Sequence, residues 1–178
     1  MRSSLRYAVG KINKLNKVVE IGVRDGKNAE DMLSVAKEVY LVDPYATYFE
    51  GRLIAYEEQG IYKRAMMMKL APYGDRIYIF NTESTKAANL FPDRLFDYVY
   101  IDGDHSYEAV SKDLELWYPK VRKGGVLAGH DFVKDYMGVM EGVTNFANAN
   151  KLKVMSMKQD GSGIWDNIEM ADWWVDKS

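Results

Sequence analysis

Hydrophobic and polar positions along this chain follow two alternating rhythms. Short apolar runs bounded by glycine or acidic residues predict buried strands at Val18–Gly22, Val39–Val42, Ile77–Phe80, Phe96–Ile101 and Val126–Ala128. Between them, apolar residues recur at helical spacing. Asn28 can cap one helix, with Asp31 three residues on and Met32, Leu33 and Ala36 following. An amphipathic stretch from about Tyr48 to Leu70 predicts one or two helices, broken by Ala71-Pro72-Tyr73-Gly74-Asp75. Ser106 can cap a further helix with Tyr107, Val110, Leu114 and Trp117 on its apolar face, ended by Pro119. Lys123-Gly124-Gly125 turns into the fifth strand, and Met140–Ala149 reads as helical. Lys153–Met157 and Ile164–Met170 flank Gln159-Asp160-Gly161-Ser162-Gly163, which predicts a terminal antiparallel hairpin.

Strands alternating with helices imply an α/β fold, doubly wound around a mostly parallel sheet. One domain over residues 1–178 accommodates it, with a short helix in 1–16 and the terminal hairpin in 150–178. Ligands on such sheets bind beyond the carboxyl ends of the strands. The unusual polar residues fall there: Glu20, Gly22 and Gly26 after the first strand, Asp43 after the second, Thr82, Glu83 and Ser84 after the third, Asp102, Asp104 and His105 after the fourth, and His130 and Asp131 after the fifth. Both histidines of the chain belong to this set.

The first loop, Glu20-Ile21-Gly22-Val23-Arg24-Asp25-Gly26, has glycines that permit a tight turn and a close ligand. A dinucleotide loop would place a second glycine where Arg24 stands. Glu20 adds a carboxylate, which suits a cationic ligand better than a pyrophosphate. Asp43, at the end of the next strand, can accept hydrogen bonds from ribose hydroxyls, or can serve as a turn residue before Pro44.

Composition narrows the class. The net charge of −2 shows no basic surplus for nucleic acid. The absence of cysteine excludes disulfides, thiolate metal sites and a cysteine nucleophile, and is compatible with a cytoplasmic setting. No apolar run approaches the roughly 20 residues of a membrane span. Met66-Met67-Met68 fits core and edge packing, and Trp173-Trp174 fits packing on the domain's own edge. Tyr45, Tyr48, Phe49 and Tyr56 fit either an acceptor-pocket wall or an apolar helix face.

Two segments carry a specific resemblance. Phe96-Asp97-Tyr98-Val99-Tyr100-Ile101-Asp102-Gly103-Asp104-His105-Ser106-Tyr107 and Lys123-Gly124-Gly125-Val126-Leu127-Ala128-Gly129-His130-Asp131-Phe132 resemble the class I S-adenosylmethionine (SAM)-dependent methyltransferases, in the branch similar to macrocin-type and catechol-type O-methyltransferases. The resemblance runs from about Val18 to Asp131. It implies a seven-stranded Rossmann-like fold with a terminal antiparallel hairpin. It implies that Glu20, Gly22, Gly26 and Asn28 surround the methionine part of SAM, with Val23 and Arg24 in the same loop. Asp43, with Pro44 beside it, would hold the ribose, Glu83 and Ser84 would lie against adenine, and Asp102 and His105 would line the sulfonium side. Asn81-Thr82 departs from the usual Lys-Gly before that acidic-Ser pair.

Methyl transfer to an alcohol needs the acceptor's proton removed, by a base, a metal or both. Relatives place a divalent cation on positions matching Asp102, His130 and Asp131. His130 departs from their oxygen ligands and disfavours Mg²⁺. The metal-free alternative makes His130 the general base, oriented by Asp131 or Asp102. Asp104 matches a proposed base in the macrocin-like group, and fits equally a loop carboxylate beside Ser106. The expected activity is O-methylation of a small hydroxylated acceptor, with neither nucleic acid nor membrane as partner. The short N-terminal segment leaves an exposed acceptor pocket or one completed by a second subunit. Two alternatives stand beside it: an NAD-type oxidoreductase, and a non-catalytic SAM-binding module.

Overall fold

The strand–helix rhythm of the sequence becomes layers in the computed structural model, which describes residues 1–50, 52–158 and 171–178. Helix α1 (Ser3–Ile12) leads into β1 (Leu15–Ile21), followed by α2 (Lys27–Val35) and β2 (Ala36–Val42). A small hairpin, β3 (Tyr48–Glu50) with β4 (Arg52–Ile54), precedes α3 (Tyr56–Leu70), a 3-10 segment over Ala71–Arg76, and β5 (Ile77–Phe80). Then come α4 (Ser84–Ala88), β6 (Phe96–Ile101), α5 (Tyr107–Trp117), β7 (Val121–Gly129), α6 (Met137–Ala149), β8 (Met155–Lys158) and β9 (Ala171–Asp176).

Among the described residues, seven strands form one sheet in the order β5-β2-β1-β6-β7-β9-β8. The first five run parallel, and β9 and β8 close the edge antiparallel. The central strands are buried on both faces, which explains their continuous apolar runs. One face packs Val18, Val39 and Ala128 with Leu5 and Ala8 of α1, Met32 and Leu33 of α2, and Met66 and Leu70 of α3. The other packs Val19, Val99 and Leu127 with Val110, Leu114 and Trp117 of α5 and Val143 of α6.

Several elements differ from their sequence pattern. The stretch expected to be helical from Tyr48 begins as the β3–β4 hairpin, and the helix starts only at Tyr56. In α3, Gln59 is buried while Ile61, Met67 and Met68 are exposed, so Met66 alone of the methionine triplet enters the core. Asn28 does not cap α2. Gly26, in the left-handed region, holds the cap position, and Asn28 lies in the first turn with its side chain directed at Glu20. Lys123-Gly124-Gly125 lies within β7, at a register shift between Phe96↔Val121 and Tyr98↔Val126. The second arm expected for the terminal hairpin, Ile164–Met170, lies outside the described residues. The strand that pairs with β8 is β9, and it lies between β7 and β8. Trp173 and Trp174 alternate on β9, so that one ring enters each core. No helix among the described residues is long and apolar enough to cross a membrane.

Trp117 is completely buried against Phe91 and Phe96. Trp117→Ala is expected to cost about 3–5 kcal/mol by cavity formation, measured as a lower denaturant midpoint; a loss below about 1 kcal/mol would mean this core is not packed as described.

Candidate active site at the strand ends

In-register parallel pairing ends four strands on one line. Ile21 pairs with Val42 and with Ile101, and Ile101 pairs with Gly129. The residues that follow, Gly22, Asp43, Asp102 and His130, are thereby brought to one edge.

The first loop turns at Gly22, whose φ is +82°. A Cβ there would lie 2.0 Å from the Asp102 carbonyl oxygen, so only glycine lets β1 and β6 remain paired to their ends. The Gly22 N–H donates to the Val42 carbonyl at 2.9 Å and the Asp102 N–H to the Ile21 carbonyl at 2.8 Å. Gly26 packs under α3, where a Cβ would meet Met66 Cγ at 2.9 Å. Asp43 holds the loop from the side: Oδ2 accepts from the Val23 and Arg24 N–H groups at 2.9 and 3.1 Å, and Oδ1 from the Tyr45 N–H at 2.7 Å. Arg24, at positive φ, lays its guanidinium 4.9 Å from the centre of the Tyr62 ring. The Tyr45 hydroxyl donates to the Arg24 carbonyl at 2.9 Å, and the Pro44 carbonyl accepts from Asn81 Nδ2 at 3.2 Å. Tyr56 is exposed, whereas Tyr45 is buried under this loop.

Glu20 is 1% exposed. Its Oε1 accepts from Asn28 Nδ2 at 2.9 Å, while Oε2 is buried with no hydrogen-bond partner among the described residues. Burial pushes the carboxyl up to about 8, with the Asp102 and Asp43 charges adding to it and Asn28 and Arg2 opposing. A carboxyl desolvated in this way, with one oxygen unsatisfied, is a receptor for a cation or a strong donor.

At the tips of β6 and β7, one carboxylate bridges the two histidines. Asp131 Oδ2 lies 2.9 Å from His105 Nε2, and Asp131 Oδ1 lies 3.1 Å from His130 Nδ1. Burial alone would raise Asp131. The hydrogen-bonding contacts with His105 and His130 outweigh it and hold the group well below the usual carboxylate range. Asp131 reaches this position with a φ of +57°. Asp102 faces the same cluster, with Oδ1 3.9 Å from His130 Nδ1 and Oδ2 3.5 Å from Arg2 Nη2. Burial pushes Asp102 up to about 6, against the pull of His130 and with Asp131 adding to the rise. Asp102, His105 and Asp131 each offer a ligand atom within 4.8 Å of the others. That grouping contains His105 where the sequence pattern named His130. In each of the three, the atoms offered already face a cationic or donor group of the chain.

Other expected site residues make local contacts. Asp104 is exposed, and its Oδ1 closes the loop by accepting from the Ser106 N–H at 2.8 Å. Glu83 is exposed and pairs with Lys86 at 3.1 Å. The Ser84 hydroxyl donates to Asp113, a carboxyl that burial pushes up to about 6 against this hydrogen bond. A small pocket is lined by Ile101, Asp102, Gly103, Asp104, His105, Val110, His130, Val139 and Trp173.

The half-buried Arg2 and the buried carboxylates Asp113 and Asp172 were not foreseen from sequence. Asp113 was discoverable, because it sits three residues from Val110 and four from Trp117, on the buried stripe of α5. Asp172 begins an otherwise apolar run with Trp173, Trp174 and Val175. Arg2 carries no local signal, since it reaches the edge only through the placement of α1.

Residues 19–132 match a family model described as a methyltransferase domain. An uncharacterised protein of Acanthamoeba polyphaga mimivirus is 31% identical over 125 residues, covering 66% of this chain, and the chain spans about half (52%) of that relative's length. The fold superposes on a Streptococcus mutans protein solved in complex with S-adenosylhomocysteine (SAH), with TM-score 0.70, 12% identity, and coverage of 100% of this chain and 99% of that one. It superposes on an rRNA methylase from Streptococcus thermophilus (TM-score 0.68, 12% identity, 99% and 98% coverage). The N-methyltransferase NodS from Bradyrhizobium japonicum gives TM-score 0.67, 13% identity, and 97% and 91% coverage. At these identities the solved structures share a fold with this chain and nothing narrower.

Glu20 sets a testable pH dependence. Between its ordinary value of 4.5 and about 8, the folded protein binds more protons at this group than the unfolded chain, so its contribution lowers stability as pH rises. Glu20→Gln is expected to raise Tm relative to the parent by an amount that grows from pH 5 to pH 8 and then levels; a difference independent of pH would show that Glu20 ionises normally.

Proposed function

The chain belongs to the methyltransferase-domain family, and from that premise we propose that it transfers a methyl group from SAM to a hydroxyl oxygen of a small acceptor. The observation that carries the cofactor assignment is the Glu20 carboxyl, buried and half-satisfied beside a turn that a single Cβ would fill. Such a group suits the ammonium of SAM and has no use for a pyrophosphate. Glu20, Gly22, Val23, Arg24, Gly26 and Asn28 surround the amino-acid end in this assignment. Asp43 and Pro44 lie on the ribose side, where a carboxylate can accept further bonds beyond those from the loop N–H groups. Glu83 and Ser84 border the adenine side, and Asp102 and His105 the sulfonium side.

When bound, SAM supplies a methyl group already activated by its sulfonium. The chain's own residues orient the acceptor and take its proton. His130 is the group we assign to that proton. A proton on Nδ1 would face Asp131 Oδ1 at 3.1 Å, which leaves Nε2 as the basic nitrogen. Asp131, held ionised, stabilises the imidazolium that forms and fixes the ring's orientation. Asp104 lines the same pocket, but its carboxylate already closes the Ser106 turn, which favours His130 as the base. A divalent cation, if one binds, would be held by Asp102, Asp131 and a histidine and would supply Lewis-acid charge to the acceptor oxygen. The apolar pocket walls and the net charge of −2 favour a small neutral acceptor over a nucleic acid.

SAM or SAH at about 100 times its dissociation constant is expected to stabilise the protein by about 2.7 kcal/mol, seen as a higher Tm, with no shift from NADH. Absence of a shift with both SAM and SAH overturns the cofactor assignment. With an acceptor found by screening hydroxylated compounds for labelled-methyl transfer, His130→Ala is expected to lower turnover about 100-fold or more while SAH affinity stays within about twofold. Turnover unchanged in that variant removes His130 as base. Loss of turnover on chelation, restored by an added divalent cation, would move the proton chemistry to a metal.

A further inference from the structure

The N-terminal helix places a cation beside the acidic residues of the strand-end edge. Asp172 of β9 is fully buried, and its Oδ2 accepts from both the N–H and the hydroxyl of Ser4, at 2.9 and 2.8 Å. Its Oδ1 accepts from the Tyr100 hydroxyl at 3.1 Å, and Ser4 Oγ lies 2.8 Å from the Tyr98 hydroxyl. These bonds pin the start of α1 against the sheet face that carries Tyr98 and Tyr100. Arg2, immediately before α1, is thereby laid across that face. Its guanidinium carbon is 5.8 Å from the centre of the Tyr100 ring, Nη2 is 3.5 Å from Asp102 Oδ2, and Nη1 is 3.9 Å from Asp172 Oδ1.

Neither contact satisfies the guanidinium. Nη1 is buried and makes no hydrogen bond among the described residues. Tyr100, under Arg2, pairs in register with Glu20 on the adjacent strand, and Glu20 Oε2 is likewise buried with no hydrogen-bond partner among the described residues. A guanidinium N–H laid over Tyr100 of β6 and a carboxylate oxygen on the adjacent β1, both desolvated and without a hydrogen bond, thus lie on the same face of the sheet. An α-amino acid complements the pair: its carboxylate matches the planar N–H edge of arginine, and its ammonium matches the carboxylate.

We propose that Arg2 binds the carboxylate at the amino-acid end of the cofactor while Glu20 binds its ammonium, so that α1 supplies half of a zwitterion clamp. This assignment rests on the SAM reading of the site and adds to it a residue outside the strand-end loops. It also gives the site a means of discrimination. A nucleoside that keeps the adenosine but lacks the amino-acid end, such as 5′-methylthioadenosine, leaves both Arg2 and Glu20 unsatisfied.

Affinities of the intact chain for SAH and for 5′-methylthioadenosine, measured by titration calorimetry, test it without any acceptor. The parent protein is expected to bind SAH far more tightly. Arg2→Gln is expected to weaken SAH binding about 10- to 100-fold, the range for loss of a charged hydrogen-bonded partner, and to leave 5′-methylthioadenosine affinity within about twofold. Arg2→Lys keeps the charge over Tyr100 but not the planar fork. It is expected to give a smaller SAH loss of about 3- to 10-fold, and it remains informative if Arg2→Gln does not fold. Equal weakening of both ligands in Arg2→Lys, or no weakening of SAH in either folded variant, overturns the assignment and leaves Arg2 as a structural counter-ion to Asp102 and Asp172. Failure of the parent protein to bind SAH at all is a separate result, which overturns the cofactor reading and the clamp together.

Discussion

The in-register parallel pairing of β1 with β2 and β6, and of β6 with β7, is the constraint on which the site depends. It places Ile21, Val42, Ile101 and Gly129 on one line, so the next residue of each strand meets the others without further positioning. That line tolerates no Cβ at Gly22, because the Asp102 carbonyl occupies the space. A slip of one residue would turn Glu20 and Tyr100 to the opposite face and dismantle the polar row beneath α1.

Burial of charge is the recurring device at this edge, and each buried group is treated differently. Asp131 is paired with two imidazoles and stays ionised. Asp172 is satisfied by Ser4 and Tyr100 and serves to anchor α1. Glu20 and Arg2 each retain an unsatisfied atom on the face beneath α1. An unsatisfied buried group carries free energy that a complementary ligand releases. In the proposed reading the paired groups hold the site together, and Glu20 and Arg2 face its occupant.

Membership of the methyltransferase-domain family fits this division of labour. A reaction whose leaving group is already activated asks little covalent chemistry of the protein. Two imidazoles lie around one carboxylate next to a small pocket, an arrangement that suits the proposed transfer of a single proton. Acceptor choice then falls to the pocket walls and to whatever closes over them, where the fold leaves most freedom.

The sequence by itself determined the central strands, the doubly wound order and the gathering of polar residues at strand ends. Buried parallel strands must be continuous apolar runs, and their loops must carry what faces a ligand. It also singled out Glu20, Gly22, Asp102, His130 and Asp131, all of which meet at the edge. It misjudged Tyr48–Ile54, because a mixed apolar and polar run of that length fits a hairpin as well as a helix. Only the tertiary structure decided that Asn28 serves Glu20 instead of capping α2, that Asp104 closes a turn, and that His105 joins the Asp131 cluster. It alone brought Arg2 and Asp172, 170 residues apart in the chain, to within 3.9 Å. Local pattern fixes which residues a strand or helix presents; the partner of a buried charge depends on packing between elements distant in the sequence, and no local pattern encodes it.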